Sequence, residues 1–246
     1  MDDFDREVSA RLAANGRDAA LKAAAHGFLV PSVPARYSYN FSWMGRPIIQ
    51  YPQDIVAMQE IIWSVQPDLI IETGIAHGGS LVFSASMLEL NAACGGPADG
   101  SVLGVDIDIR PHNRVAIEHH PLFRRISMIE GSSIAPEVVA RVHTAAAAKR
   151  RVLVCLDSNH TEAHVLAELE AYAPLTCVGS YCVVFDTIVE DLPADVCSDR
   201  PWAPGNSPKS AVRKYLKNHP EFVNDETLDH KLLISVAPGG YLRRIC

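Results

Sequence analysis

Four acidic residues, Glu72, Asp106, Asp157 and Asp186, each close a short apolar run of this 246-residue chain. One such acid is commonly a helix cap or a surface residue. Open α/β sheets bind ligands at the carboxyl ends of their strands, so four in succession describe an acidic rim that suits a cationic ligand or a metal ion. The densest chemistry follows the third of them. In LDSNHTEAHVLAEL (156–169), Asp157 stands three residues before His160, a pairing that can supply a metal ligand and a general base. His164 would share a helical face with His160, but Thr161 stands where a zinc-peptidase HExxH motif has its glutamate.

The first acid lies in IIETGIAHGGS (70–80), where Glu72 and Thr73 precede Gly74, and Gly78 and Ser80 follow. Glycines after a strand permit a tight turn and close backbone approach to a ligand. The spacing is neither the GxGxxG dinucleotide fingerprint, since Ala76 interrupts it, nor a phosphate-binding P-loop, which needs a lysine. A carboxylate here favours a cationic sulfonium or amino group over a pyrophosphate, and so S-adenosylmethionine over NAD. Asp106, ending the next run, is placed to accept hydrogen bonds from ribose hydroxyls. Ser132, in EGSS (130–133), stands where an adenine edge is expected, although the same residues also make an ordinary turn with a helix cap.

These residues need elements to position them. Continuous apolar runs such as VLVCL (152–156) suit parallel strands covered on both faces, and they alternate with segments of helical periodicity. The pattern predicts an α/β, Rossmann-like, doubly wound and mostly parallel sheet. It closes on an antiparallel C-terminal strand over 241–245, with another short strand expected over 232–236. Helix is expected over 3–25, interrupted near Asn15-Gly16. Tyr37, Tyr39, Phe41 and Trp43 alternate with polar residues, which predicts an extended strand or arm with one aromatic face. Residues 1–50 read as an N-terminal helix and aromatic arm, and 51–246 as the main domain. The proline-bearing stretch from Glu190 to Lys209 reads as a long loop of the kind that covers a binding site.

A formal charge of −7 argues against a nucleic-acid partner. No apolar stretch approaches the length of a membrane span. The N-terminal MDDFDREVSA lacks the basic and apolar regions of a signal peptide, and the six cysteines show no CxxC spacing, so reduced thiols and a cytoplasmic location are expected.

YNFSWMGRPIIQYPQD (39–54), IIETGIAHGGS (70–80), GVDIDIR (104–110), LDSNHTEAHVLAEL (156–169) and VVFDTIVED (183–191) resemble the cephalosporin hydroxylase-like family. That family includes rhamnosyl and other sugar O-methyltransferases. The resemblance implies a class I methyltransferase fold, S-adenosylmethionine as donor and, in some members, a Mg²⁺ ion near the acceptor hydroxyl. Glu72 and Gly74 would then line the methionine end of the cofactor and Asp106 its ribose, with Asp157 and Asp186 on the metal side. Phe185 departs from the pattern, since some metal-binding members carry a second acid there. The expected activity is methylation of a hydroxyl on a sugar of rhamnosyl type or a related small molecule, with Asp157 and His160 catalytic and a homo-oligomeric assembly. Its rivals are an NAD-linked oxidoreductase and a non-catalytic nucleotide-binding partner subunit.

Overall fold

A computed structural model describes residues 2–246. Two helices open the chain, α1 (Asp3–Arg17) and α2 (Ala19–Ser32). The break falls at Asp18, slightly beyond Asn15-Gly16: this residue ends α1 and caps α2 by accepting from the Leu21 N–H. The aromatic segment is not the expected strand. Tyr37–Asn40 forms a 3₁₀ turn, followed by a short ribbon of β1 (Ser42–Trp43) and β2 (Arg46–Pro47). Tyr37 packs edge-on against Phe28 and Phe41 and tilted against Tyr51, so tertiary aromatic contacts override the two-residue period.

After α3 (Pro52–Val65) come β3 (Leu69–Thr73), α4 (Gly79–Ala93), β4 (Ser101–Asp106), α5 (Pro111–Glu118), β5 (Ile126–Glu130), α6 (Pro136–Ala146), β6 (Val152–Leu156), α7 (Glu162–Tyr172) and β7 (Tyr181–Val184). The chain finishes with α8 (Pro208–Asn218), β8 (Phe222–Asn224), α9 (Glu226–Leu232) and β9 (Tyr241–Arg244). The sheet runs β5-β4-β3-β6-β7-β9-β8, with β9 antiparallel to both of its neighbours and the other pairs parallel. The strand expected over 232–236 is absent. Leu232 ends α9, and the following residues form a turn pinned where the Val236 N–H donates to Asp54.

Alternation along the strands builds two apolar layers. Ile70, Val102, Leu153 and Val183 pack with α3 and α4, while Leu69, Ile71, Val154 and Cys182 pack with α6, α7 and α8. Leu29, Ile48 and Tyr51 join the first layer, so the N-terminal segment shares the core of the sheet. Among the described residues no helix is long and apolar enough to cross a membrane.

Candidate functional site

The strand order reverses at β3, which lies between β4 and β6, and the crevice at this switch point is where a doubly wound sheet takes its ligand. A cavity of about 510 Å³ opens there. Gly74, Ser80, Asp157, His160 and Asp186 line it, joined by Gln50, which precedes α3.

Gly74 has φ +90°, and a Cβ there would lie 2.1 Å from the Asp157 carbonyl oxygen. Its requirement for glycine is therefore met by the chain itself: the turn after β3 sits directly against the turn after β6. Gly78, φ +79°, would drive a Cβ into Ile117 of α5 in the same way. Asp106 holds this turn from below. One carboxylate oxygen accepts the Ile75 and Ala76 N–H groups at 2.7 and 3.2 Å, and the other accepts from Asp108 at 3.0 Å. Neither Asp106 nor Ser132 lines the cavity. Ser132 instead accepts the Ala135 N–H through its carbonyl in the turn before α6.

Because β3 runs to Thr73, Glu72 shares its face with Ile70 and points under the sheet end toward α4. It is buried, accepts from Ser84, and burial raises its pKa against the opposing pull of Ser84 and Ser80. It borders a second, smaller void of about 30 Å³, shared with Asp54, Asp157, Gln50 and Phe185. The Thr73 hydroxyl accepts the Asp157 N–H at 3.3 Å and so ties β3 to the cluster.

The cluster itself unites the ends of β6 and β7. Asp157, His160 and Asp186 each offer a ligand atom within 4.8 Å of the others. His160 Nε2 lies 3.2 Å from Asp186 Oδ2, and the imidazole meets the Trp202 ring edge-on at 4.6 Å. Asp186 reaches inward from a left-handed backbone, φ +53°, a strained conformation for a side chain to adopt. Burial raises the Asp157 carboxyl well above the usual range, and the negative charges of Asp186, Glu72 and Glu168 add to the rise. No lysine or arginine pairs with Asp157 or Asp186 among the described residues. His164 lies outside the cluster, bonded to Ser133 and Ser158 at 3.0 and 3.3 Å.

Gln50 was not read from the sequence as a site residue. Its Nε2 donates to Asp157 Oδ2 at 3.4 Å, while its buried Oε1 has no partner. The one signal available was a lone amide amid the apolar residues of PIIQYP (47–52). The proline-bearing segment is more ordered than expected. Glu190 anchors it by accepting from Gly205, Ser207 and Arg213, and its Leu192, Cys197 and Trp202 line the cavity.

Residues 35–245 match the family profile described as Rhamnosyl O-methyltransferase/CmcI. The chain belongs to the rhamnosyl O-methyltransferase/CmcI family. Within it, the chain is 29% identical over 207 residues to the rhamnosyl O-methyltransferase of Mycobacterium leprae (strain TN), covering 82% of each protein. The same identity holds over 210 residues with that of Mycobacterium tuberculosis (strain ATCC 25618 / H37Rv), covering 82% of this chain and 78% of the relative. A CmcI structure with Mg and SAM superposes at TM-score 0.56 and 18% identity, over 85% of this chain and 78% of that one. The Rossmann-like methyltransferase fold is thus the fold of this chain. At Phe185 the structure buries an aromatic ring beside the small void.

Proposed function

We propose that this family member transfers a methyl group from S-adenosylmethionine to a hydroxyl of a sugar of rhamnosyl type or a related small-molecule natural product. The observation that carries the reading is the convergence of Asp157, His160 and Asp186 in the cavity at the switch point. It is supported by the names of the curated relatives and by the CmcI structure with Mg and SAM.

In this reaction the acceptor oxygen attacks the methyl carbon, and the C–S bond breaks with its electron pair remaining on sulfur. The acceptor proton must leave to a base as the new C–O bond forms. His160 supplies that base. Asp186 accepting from Nε2–H would fix the tautomer and leave the Nδ1 lone pair free for the proton. General-base assistance of this kind contributes roughly 10²–10⁴-fold. Proximity and orientation are the main requirements of such a displacement, and the cavity at the switch point would supply both to a bound donor and acceptor.

The donor set also fits a divalent ion. Two carboxylates with no cationic lysine or arginine beside them, and a buried amide oxygen on Gln50 without a partner, suit an oxygen-loving Mg²⁺. Asp157 and Asp186 would hold it, and its chemistry would be to acidify the acceptor hydroxyl.

The deciding experiment measures methyl transfer from S-adenosylmethionine to rhamnosyl glycosides by mass spectrometry, with and without chelator. Methylated product is expected, suppressed by chelation and restored by Mg²⁺. Turnover that survives chelation but is abolished by His160→Ala would remove the ion and leave the aspartates as orienting groups. No product from any glycoside, with NAD raising the melting temperature as much as S-adenosylhomocysteine does, would overturn the reading.

A further inference from the structure

The cavity carries side chains of both charges. Its inner end holds Asp157 and Asp186, while Arg36 and Arg200 stand exposed on its wall, one on the turn after α2 and the other on the segment before α8. Each guanidinium lies over an aromatic ring that lines the same cavity: Arg36 over Tyr39 at 5.8 Å, and Arg200 over Trp202 at 5.6 Å. Arg36 pairs with no carboxylate among the described residues, although its backbone is held at φ +53°. Arg200 meets only its neighbour Asp199, at 3.7 Å and with both side chains at least half exposed, an arrangement that binds an arginine weakly. The lining also carries Asp199 beside Asp157 and Asp186, and within it Arg36 and Arg200 are the two side chains that can offer an anion a permanent positive charge.

Trp202 connects this rim to the reaction centre. Its ring carries Arg200 and also meets His160 edge-on. The Arg200 guanidinium lies 5.6 Å and the His160 ring 4.6 Å from the centre of the Trp202 ring, so arginine and base are at most about 10 Å apart. One hexose spans that interval between a reacting hydroxyl and a phosphate on its anomeric carbon. The guanidinium fork matches phosphate oxygens two at a time and remains flat on an aromatic face while doing so.

We infer that the acceptor is a phosphoryl-bearing sugar, a sugar phosphate or a nucleoside-diphosphate sugar, whose phosphate is held by Arg36 and Arg200. This rests on the methyl-transfer reading for the fate of the sugar but not for its binding. In the nucleotide form, Trp202 or Tyr39 offers a stacking face for the base.

The test is calorimetric binding to the full chain saturated with S-adenosylhomocysteine, using methyl rhamnoside, rhamnose 1-phosphate and a nucleoside-diphosphate rhamnose as probes. The phosphorylated probes should bind about tenfold or more tightly than the neutral one, as charge-assisted hydrogen bonds require. Arg36→Ala and Arg200→Ala should each erase much of that preference while leaving the melting temperature and S-adenosylhomocysteine binding unchanged. Tighter binding of the nucleotide sugar than of rhamnose 1-phosphate, lost in Trp202→Ala, would identify the nucleotide form; equal binding would identify the simple phosphate. Equal affinity for the neutral glycoside, or phosphate binding indifferent to both variants, would overturn the inference. So would loss of S-adenosylhomocysteine affinity in Arg36→Ala, since the arginine would then serve the cofactor's carboxylate. Phosphorylated probes that bind through these arginines yet are never methylated would sink the methyl-transfer reading and leave this one standing.

Discussion

Asp54 and Asp157 border the same small void, and both have raised carboxyl pKa values, yet the protein treats them oppositely. Asp54 is fully buried and receives three donors: the Ser235 hydroxyl at 2.6 Å, the Tyr241 hydroxyl at 2.8 Å and the Val236 N–H at 3.0 Å. Asp157 receives one long bond from Gln50 and faces Asp186, Glu72 and Glu168. Burial alone does not separate a structural acid from a reactive one. The supply of donors does: a satisfied carboxylate rivets α3 to the turn before β9, whereas an unsatisfied one is held ready for a ligand that brings positive charge.

The sharpest way to break this contrast is on the reactive side. His160→Ala should lower methyl transfer by roughly 10²–10⁴-fold while leaving S-adenosylhomocysteine affinity and the melting temperature near wild type. A variant that transfers methyl groups at the normal rate would place the reaction elsewhere in the cavity. On the structural side, Asp54→Ala strands three buried donors and should destabilise the fold by about 3 kcal/mol or more in chemical denaturation. Stability within a few tenths of a kcal/mol of wild type would show that the network is dispensable.

Asp54 also has a pH signature. Burial pushes its carboxyl up to about 6 in the folded chain, against an ordinary value of 3.8. The folded state then binds the proton more tightly than the unfolded state does, so this group's contribution falls as pH rises from about 4 to 6, by on the order of 3 kcal/mol. Asp54→Asn should remove that slope, and an unchanged pH dependence of unfolding would contradict the assignment. The smallest effect runs in the opposite sense. Asp157→Asn relieves repulsion with Asp186 and should stabilise the ligand-free protein by about 1 kcal/mol while abolishing any Mg²⁺ response in thermal unfolding. Destabilisation on that substitution would make Asp157 a second structural acid and erase the contrast.

The sequence by itself determined the alternation of strands and helices, the antiparallel finish at β9 and the four acids at or near strand ends. These follow from local apolar periodicity, which each segment carries in its own residues. Periodicity failed over 37–43 and 232–236, where ring packing and a distant carboxylate settled the backbone. Residue chemistry at the strand ends also singled out Asp157, His160 and Asp186, but their meeting depends on β6 and β7 being neighbours and on the left-handed turn at Asp186. Only the tertiary structure turned Asp106 toward the backbone of the glycine turn, left Ser132 outside the cavity and brought Gln50 to Asp157 across 107 residues. It also brought Arg36 and Arg200, far apart in the chain, to the lining of one cavity. Spacing along a chain fixes which face of a helix or strand a residue occupies, but whether an acid meets a donor, another acid or a ligand is decided by elements far away in sequence.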